Sequence, residues 1–187
     1  MNIKWILNKY FPDSKYEYAS NVVLAHEGYF SDDKNDPGGA TQWGISLRFL
    51  QRAGIHVLDH DVIDLQDVKA ISRKDAKAIY YTYFWKKYFI DTFLNVIVAT
   101  KILDMAINMG IYQTIKLLQK ALNNINLRPV IVDGDLGPET MKSANSCDPN
   151  ILHLQLIAEQ RLFYLDLIDK KPYLACFKQG WLNRAAW

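Results

Sequence analysis

Residues 23–46 read VLAHEGYFSDDKNDPGGATQWGIS, and the reading of this stretch decides the fold. An apolar run delivers one carboxylate, Glu27, and is followed at once by Gly28 and a polar loop with Asp33, Asp36 and Gly38-Gly39. Tyr18, Val22, Val23 and Ala25-His26 carry helical spacing, so a short amphipathic helix is expected to end near Gly28, a residue suited to a C-terminal cap. Glu27 then sits where the carbonyl ends of the helix dipole disfavour a carboxylate. Its apolar neighbours Val23 and Leu24 add a desolvation penalty in the same direction. Both favour the proton-bearing carboxyl that a general acid requires. A loop folding back as a hairpin would set Asp33 or Asp36 opposite Glu27, with Thr41 a candidate to hold a water. Tyr29, Phe30 and Trp43 offer flat faces on which a sugar ring can lie. Paired carboxylates are the hardware of glycoside hydrolysis. The competing reading is structural, since Asp36 before Pro37-Gly38-Gly39 is also a turn former.

Outward from this stretch the chain reads as mainly helical. Ile45 to Ala53 predicts a helix stopped by Gly54, and Ser72 with Asp75 predicts a capping box ahead of the apolar face Ala76, Ile79, Tyr80 and Tyr83. Ala99, Ile102, Leu103, Ala106 and Ile107 form another stripe, ending at Gly110, and Ile115, Leu118 and Leu122 continue the pattern. Gly, Pro, Asn and Asp cluster over 123–141 and break it. Asp148 is expected to cap a helix with Pro149 in its first turn, burying Ile151, Leu154, Ile157, Leu162 and Leu165. Strand signals are sparse, PVIV at 129–132 being the strongest. A small hairpin is expected beside the acidic loop, and a boundary near residue 95 would give units 1–95 and 96–187.

Composition narrows the function. Half of the 187 residues are hydrophobic and 13% aromatic, which suits a packed interior and argues against disorder. A formal net charge of +2, with no long run of Lys or Arg, gives no footprint for nucleic acid or a membrane surface. The Trp-Ile-Leu run near the N-terminus is too short for a signal-peptide core or a bilayer span. The expected route is therefore synthesis in the cytoplasm, any action outside needing holin-type release or another export. Cys147 and Cys176 have no metal-ligand spacing. HExxH would need a histidine at position 30, where Phe30 stands. His56 and His60 lie four apart in HVLDHDVID, where solvated loop histidines are the expected reading. No metal or organic cofactor is expected.

The stretch HEGYFSDDKNDPGGATQWGIS resembles the signature of glycoside hydrolase family 108, muramidases that cleave peptidoglycan. Glu27, Gly28, Asp33, Asp36, Gly38, Gly39, Thr41, Trp43, Gly44 and Ile45 fall in register with it. AKAIYYTYFW (76–85), LDMAINMG (103–110), LLQKALN (117–123), VDGDLGPET (132–140) and GWLNR (180–184) extend the likeness over nearly the whole chain. Two positions depart from it: Tyr29 stands at the second glycine and Lys34 at the usual proline. The resemblance implies a lysozyme-like two-lobed fold whose second half, 96–187, is a helical peptidoglycan-binding region. It implies Glu27 as the acid. The order Glu, Asp nine residues on, then Thr also resembles phage-type lysozymes, favouring Asp36 with Thr41 over Asp33.

The expected activity is hydrolysis of the β-1,4 bond between N-acetylmuramic acid and N-acetylglucosamine by a monomer acting on peptidoglycan glycan strands. Tyr29, Trp43, Trp85 and Asn108 are its candidate substrate contacts. For Trp85 the competing role is core aromatic, and for Asn108 it is a buried amide satisfied by the interior. Asp133, Gly134, Asp135, Gly137 and Pro138 resemble a wall-binding loop, with a plain turn the competing reading. GWLNR is expected to pack Trp181 and Leu182 onto the domain. A lytic transglycosylase, a chitin-type hydrolase with the same acid and a non-catalytic wall-binding protein are the alternatives. Phage endolysin and host enzyme both fit.

Overall fold

The computed structural model describes residues 2–10, 12–28, 30–31, 39–125 and 129–187. The chain forms two compact units, Met1–Phe89 and Ile90–Trp187. Both are mainly helical, and among the described residues one two-stranded sheet is present. No described helix is long and apolar enough to cross a membrane.

The first unit holds α1 (Ile3–Asn8), α2 (Ser14–His26), β1 (Thr41–Gln42), β2 (Ile45–Ser46), α3 (Leu47–Ala53), α4 (Leu65–Ala70) and α5 (Arg73–Tyr80). A π-helical segment, Tyr81–Lys86, continues α5. Side-chain caps start these helices. Asp13 accepts from the Tyr16 N–H at 2.7 Å, and Ser72 and Asp75 exchange bonds as the capping box that their spacing predicts. Gly54, at φ +63°, closes α3 in the left-handed conformation. The expected start of that helix moves: Ile45 belongs to β2, because Ser46 takes the N-cap and accepts from the Phe49 N–H.

The buried face of α2 also differs from the expected one. Tyr16, Ala19, Ser20, Val23 and Leu24 are inside, whereas Tyr18 is 45% exposed. The Tyr16 hydroxyl donates to the Lys77 carbonyl, and its ring meets Tyr10, Tyr81 and Trp85 edge-on. A tyrosine with a hydrogen-bond partner inside buries more apolar area than Val22 or Ala25 can, and so sets the helix rotation.

The second unit holds α6 (Val96–Met109), α7 (Ile111–Ile125), α8 (Pro138–Ser146), α9 (Pro149–Lys170) and α10 (Lys178–Ala185). α7 packs on α6 and α9, and α10 packs on α9. Asp148 caps α9 as expected, ahead of Pro149. The buried stripe of α9 is Leu152, Leu156, Gln160 and Tyr164; Ile151, Leu154, Leu162 and Leu165 are exposed. Aliphatic residues surround most of this helix, so spacing alone fits several faces. The polar pair decides: Gln160 donates to the Tyr164 hydroxyl at 3.0 Å, which donates to Asn108 at 2.6 Å. Trp181 stacks on Tyr164 at 5.0 Å, docking GWLNR as its composition suggests. Cys147 and Cys176 form no disulfide.

PVIV at 129–132 is not a strand. The Asn123 side chain takes the place of a strand partner, accepting from the Val130 N–H at 2.7 Å and donating to its carbonyl at 2.9 Å. Beyond it, Gln119 holds the Asp133–Asp135 loop. Its amide nitrogen donates to Asp133 Oδ1 and the Asp135 carbonyl, and its oxygen accepts from the Gly134 N–H at 2.9 Å. Gly134 lies at φ +85°, where an added Cβ would stand 2.5 Å from the Tyr112 ring. Gln119→Leu is expected to strip several bonds from this loop at one buried point and to lower stability by roughly 2–4 kcal/mol, read by denaturant unfolding.

Lys101 is fully buried, donating to the Ala185 and Trp187 carbonyls beside the Asp104–Arg184 ion pair. Burial lowers its pKa to about 8 from the ordinary 10.5, Asp104 opposing the shift and Arg184 adding to it. Between these two values the unfolded chain keeps a proton that the folded chain has released, so stability from this group rises with pH there and is lowest below 8. The unfolding free energy of the parent relative to Lys101→Met should therefore increase by about 3 kcal/mol from pH 7 to 10.5. Urea titrations at the two pH values read the difference, and a flat difference would refute it.

Candidate active site

Glu27 is the first residue past α2. Its N–H still bonds the Val23 carbonyl at 3.1 Å, closing the last helical turn, but φ −78° and ψ 133° turn the chain out of the helix there. The helix thus ends near Gly28 as expected, its C-cap being an extended Glu27, and Gly28 does not take a positive φ. The Glu27 side chain is half-buried. Glu17, the other acid of α2, is committed elsewhere. The Lys77 ammonium at 2.5 Å holds its carboxyl below the usual range, against some desolvation, with help from the Tyr10 hydroxyl.

The partner of Glu27 is a hairpin. Gln42 pairs with Ile45 and Thr41 with Ser46, leaving Trp43-Gly44 as a two-residue turn. Both turn residues have positive φ, 53° and 73°, the pattern of a type I′ turn. Gly44 adopts this freely, but Trp43 does so at a cost of roughly 1–2 kcal/mol. The Tyr80 hydroxyl donates to the Trp43 carbonyl and holds that conformation in place. Tyr80 is itself buried at the end of α5 and edge-on to Phe84. A second pairing anchors the hairpin base, where Ser31 and Thr41 exchange backbone bonds of 2.9 and 2.8 Å.

Gly44 is where these elements meet. A Cβ on it would stand 2.5 Å from Glu27 Oε2, 2.6 Å from Glu27 Cδ and 2.6 Å from the Tyr80 hydroxyl oxygen. The Glu27 carboxyl therefore lies against a bare backbone, beside a phenol whose proton is given to Trp43. Thr41 and Trp43 stand on this hairpin, and Tyr80, which the sequence shows only as part of an apolar face, lies beside the carboxyl at Gly44. A tyrosine at the end of a buried stripe was the available signal, because its hydroxyl needs a partner.

The remaining candidates separate. Tyr29, Asp33 and Asp36 lie outside the described residues. Trp85 is 0% exposed and edge-on to Tyr16 at 5.2 Å, so it serves the core and offers no platform to a sugar. Asn108 is exposed, not buried, and its side-chain oxygen accepts from Tyr164. His60 gains neighbours that its spacing did not suggest, since potential ligand atoms of His60, Asp64 and Asp67 lie within 4.8 Å of one another. Asp67 is occupied, however: it accepts from the N–H groups of Val57, Leu58 and Asp64 and faces His60 Nε2 at 3.2 Å. Burial would raise its pKa, but these backbone bonds and His60 hold it below the usual range. The cluster closes the loop ahead of α4.

Residues 20–110 match the family model described as Glycosyl hydrolase 108, and residues 113–186 match that of a Predicted Peptidoglycan domain. Among solved structures, one described as the structure of Brucella abortus SagA is similar. It is 27% identical with a TM-score of 0.72, over 91% of this chain and 89% of that one. No curated protein matches the chain.

Proposed function

From a chain that joins a glycosyl hydrolase 108 segment to a peptidoglycan domain on a mainly α, lysozyme-like fold, and is a glycoside hydrolase degrading peptidoglycan, we propose an N-acetylmuramidase with Glu27 as its general acid. The bond cleaved is the β-1,4 link between N-acetylmuramic acid and N-acetylglucosamine. Glu27 gives its proton to the leaving oxygen of N-acetylglucosamine as the bond to the muramic C1 breaks. Water adds its hydroxyl to that carbon, and its remaining proton restores the acid. Asp36, with Thr41, positions the water or stabilises the positive charge on the ring.

One observation carries the reading: the Glu27 carboxyl, at the exit of α2, rests on Gly44 of the strained hairpin beside Tyr80. Backbone strain collects at functional sites, where it fixes a geometry that local preferences would not choose. Trp43 stands on this turn, half-buried, as the aromatic nearest the acid in the hairpin, and supplies a sugar contact.

Mass spectrometry of fragments released from purified peptidoglycan tests the proposal. Reducing-end muramic acid is the expected product. Anhydro-muramic ends would replace hydrolysis by transglycosylation with the same acid, and reducing-end glucosamine would move the scissile bond.

A further inference from the structure

The second unit carries a groove of about 850 Å³, and its lining differs in kind from the surroundings of Glu27. Its lining includes the aliphatic Ile125, Pro129 and Ile131, the last 79% exposed. Its rim is charged, with Asp133 and Asp135 on one side and Glu139 and Lys142 of α8 on the other. Among the described residues that line it, three carboxylates stand against one ammonium, and none is aromatic.

The acidic side is held in place by buried structure. Gln119 is 1% exposed and fixes the loop through bonds to Asp133, Gly134 and Asp135. The Asp135 N–H and then Gln119 also donate to Asp133, holding its carboxyl below the usual range and so anionic. On the other side, Glu139 and Lys142 stand on a helix that begins with Pro138 and is joined to the same network through Thr140, whose hydroxyl lies 3.3 Å from Gln119 Nε2.

Peptidoglycan offers two chemistries to such a groove. The glycan strand is a run of N-acetylated sugars, best recognised by flat aromatic faces, and carries no cation. The stem peptide has alanine methyl groups, carboxylates on its γ-linked glutamate and terminal alanine, and a diamino acid whose free ammonium is its cation. An aliphatic lining beside fixed carboxylates complements the methyl groups and the ammonium of the second, whose own carboxylates are left to solvent.

We propose that the groove between the Gln119-anchored Asp133–Asp135 loop and α8 binds the stem peptide of peptidoglycan, with Asp135 and Glu139 receiving the diamino acid's ammonium. The proposal rests on the reading of the chain as a peptidoglycan hydrolase, and it assigns the second unit to the peptide where Glu27 acts on the glycan. Wall density in stem peptides would then raise the local concentration of enzyme on its substrate.

The test is calorimetric titration of the full chain with the synthetic peptide N-acetyl-L-alanyl-γ-D-glutamyl-L-lysyl-D-alanine and with its Nε-acetyl form. The free amine is expected to bind about tenfold more tightly than the acetylated peptide, as for a charge-assisted contact. In Asp135→Asn/Glu139→Gln, with an unchanged melting temperature, the preference should vanish. Equal binding of the two peptides by the parent, no binding of either, or a preference that survives in the double variant would overturn the assignment. Glu27→Gln separates the two readings. Peptide binding retained in that variant together with full wall turnover would remove the catalytic proposal and keep the groove. Absent peptide binding with turnover lost on Glu27→Gln would do the reverse.

Discussion

Glu27→Gln is expected to lower turnover of purified peptidoglycan by about 10²–10⁴-fold, the usual contribution of a positioned general acid. The amide matches the carboxyl in shape, so it can rest on Gly44 as the parent side chain does. It has no proton acidic enough to give to a leaving alkoxide. The fold should be untouched, because Glu27 closes α2 through its backbone N–H to Val23, which the variant keeps. An unchanged melting temperature with loss of reducing-end products is the expected pair of results. Turnover within threefold of the parent would sink the assignment of the acid and leave a peptidoglycan hydrolase in need of another.

Gly44→Ala is expected to damage the same reaction without removing any reacting group. The backbone there lies at φ +73°, a conformation that costs an alanine roughly 1–2 kcal/mol. Its methyl would also stand 2.5 Å from Glu27 Oε2 and 2.6 Å from the Tyr80 oxygen, closer than atoms can approach. Tyr80 is buried and bonded to Trp43, whereas the carboxyl is the far end of a flexible chain. The carboxyl is therefore the group that moves. Displacement of about 1 Å at a reacting group costs on the order of 10²-fold in rate. Gly54→Ala is the control, since Gly54 has φ +63° and no atom within 4 Å of an added Cβ. Gly54→Ala should lose stability from backbone strain alone and Gly44→Ala somewhat more, because the Tyr80 hydroxyl must also give, and only Gly44→Ala should lose activity out of proportion to its stability. Parallel losses in the two would show that backbone strain alone, and not the seat of Glu27, explains the effect.

The two variants probe parts of the site that differ in how far the sequence reveals them. Glu27 is visible at once as an acid ending an apolar run, and its family resemblance rests on neighbours in the same stretch. Thr41, Trp43 and Gly44 are visible as a motif, but nothing local says that the turn forms a floor for the acid. Tyr80 is visible only as an apolar-face residue. Trp85 reads more readily as core than as a sugar platform, and its burial against Tyr16 decides for the core. The stripes of α9 show the same limit: several faces are apolar enough, and the chosen one is set by the Gln160–Tyr164–Asn108 chain.

By itself the sequence determined what short-range rules control: the caps at Ser72, Asp75 and Asp148, the stop at Gly54, the helical class and the address of the acid. A cap or a left-handed glycine needs only atoms within a few residues, so its signal is written locally. Only the tertiary structure decided which helix faces are buried, why PVIV pairs with an asparagine instead of a strand, and what lies against the Glu27 carboxyl. Those outcomes depend on groups brought together from distant parts of the chain. Burial and hydrogen-bond satisfaction are properties of that assembly, and no single stretch of sequence contains them.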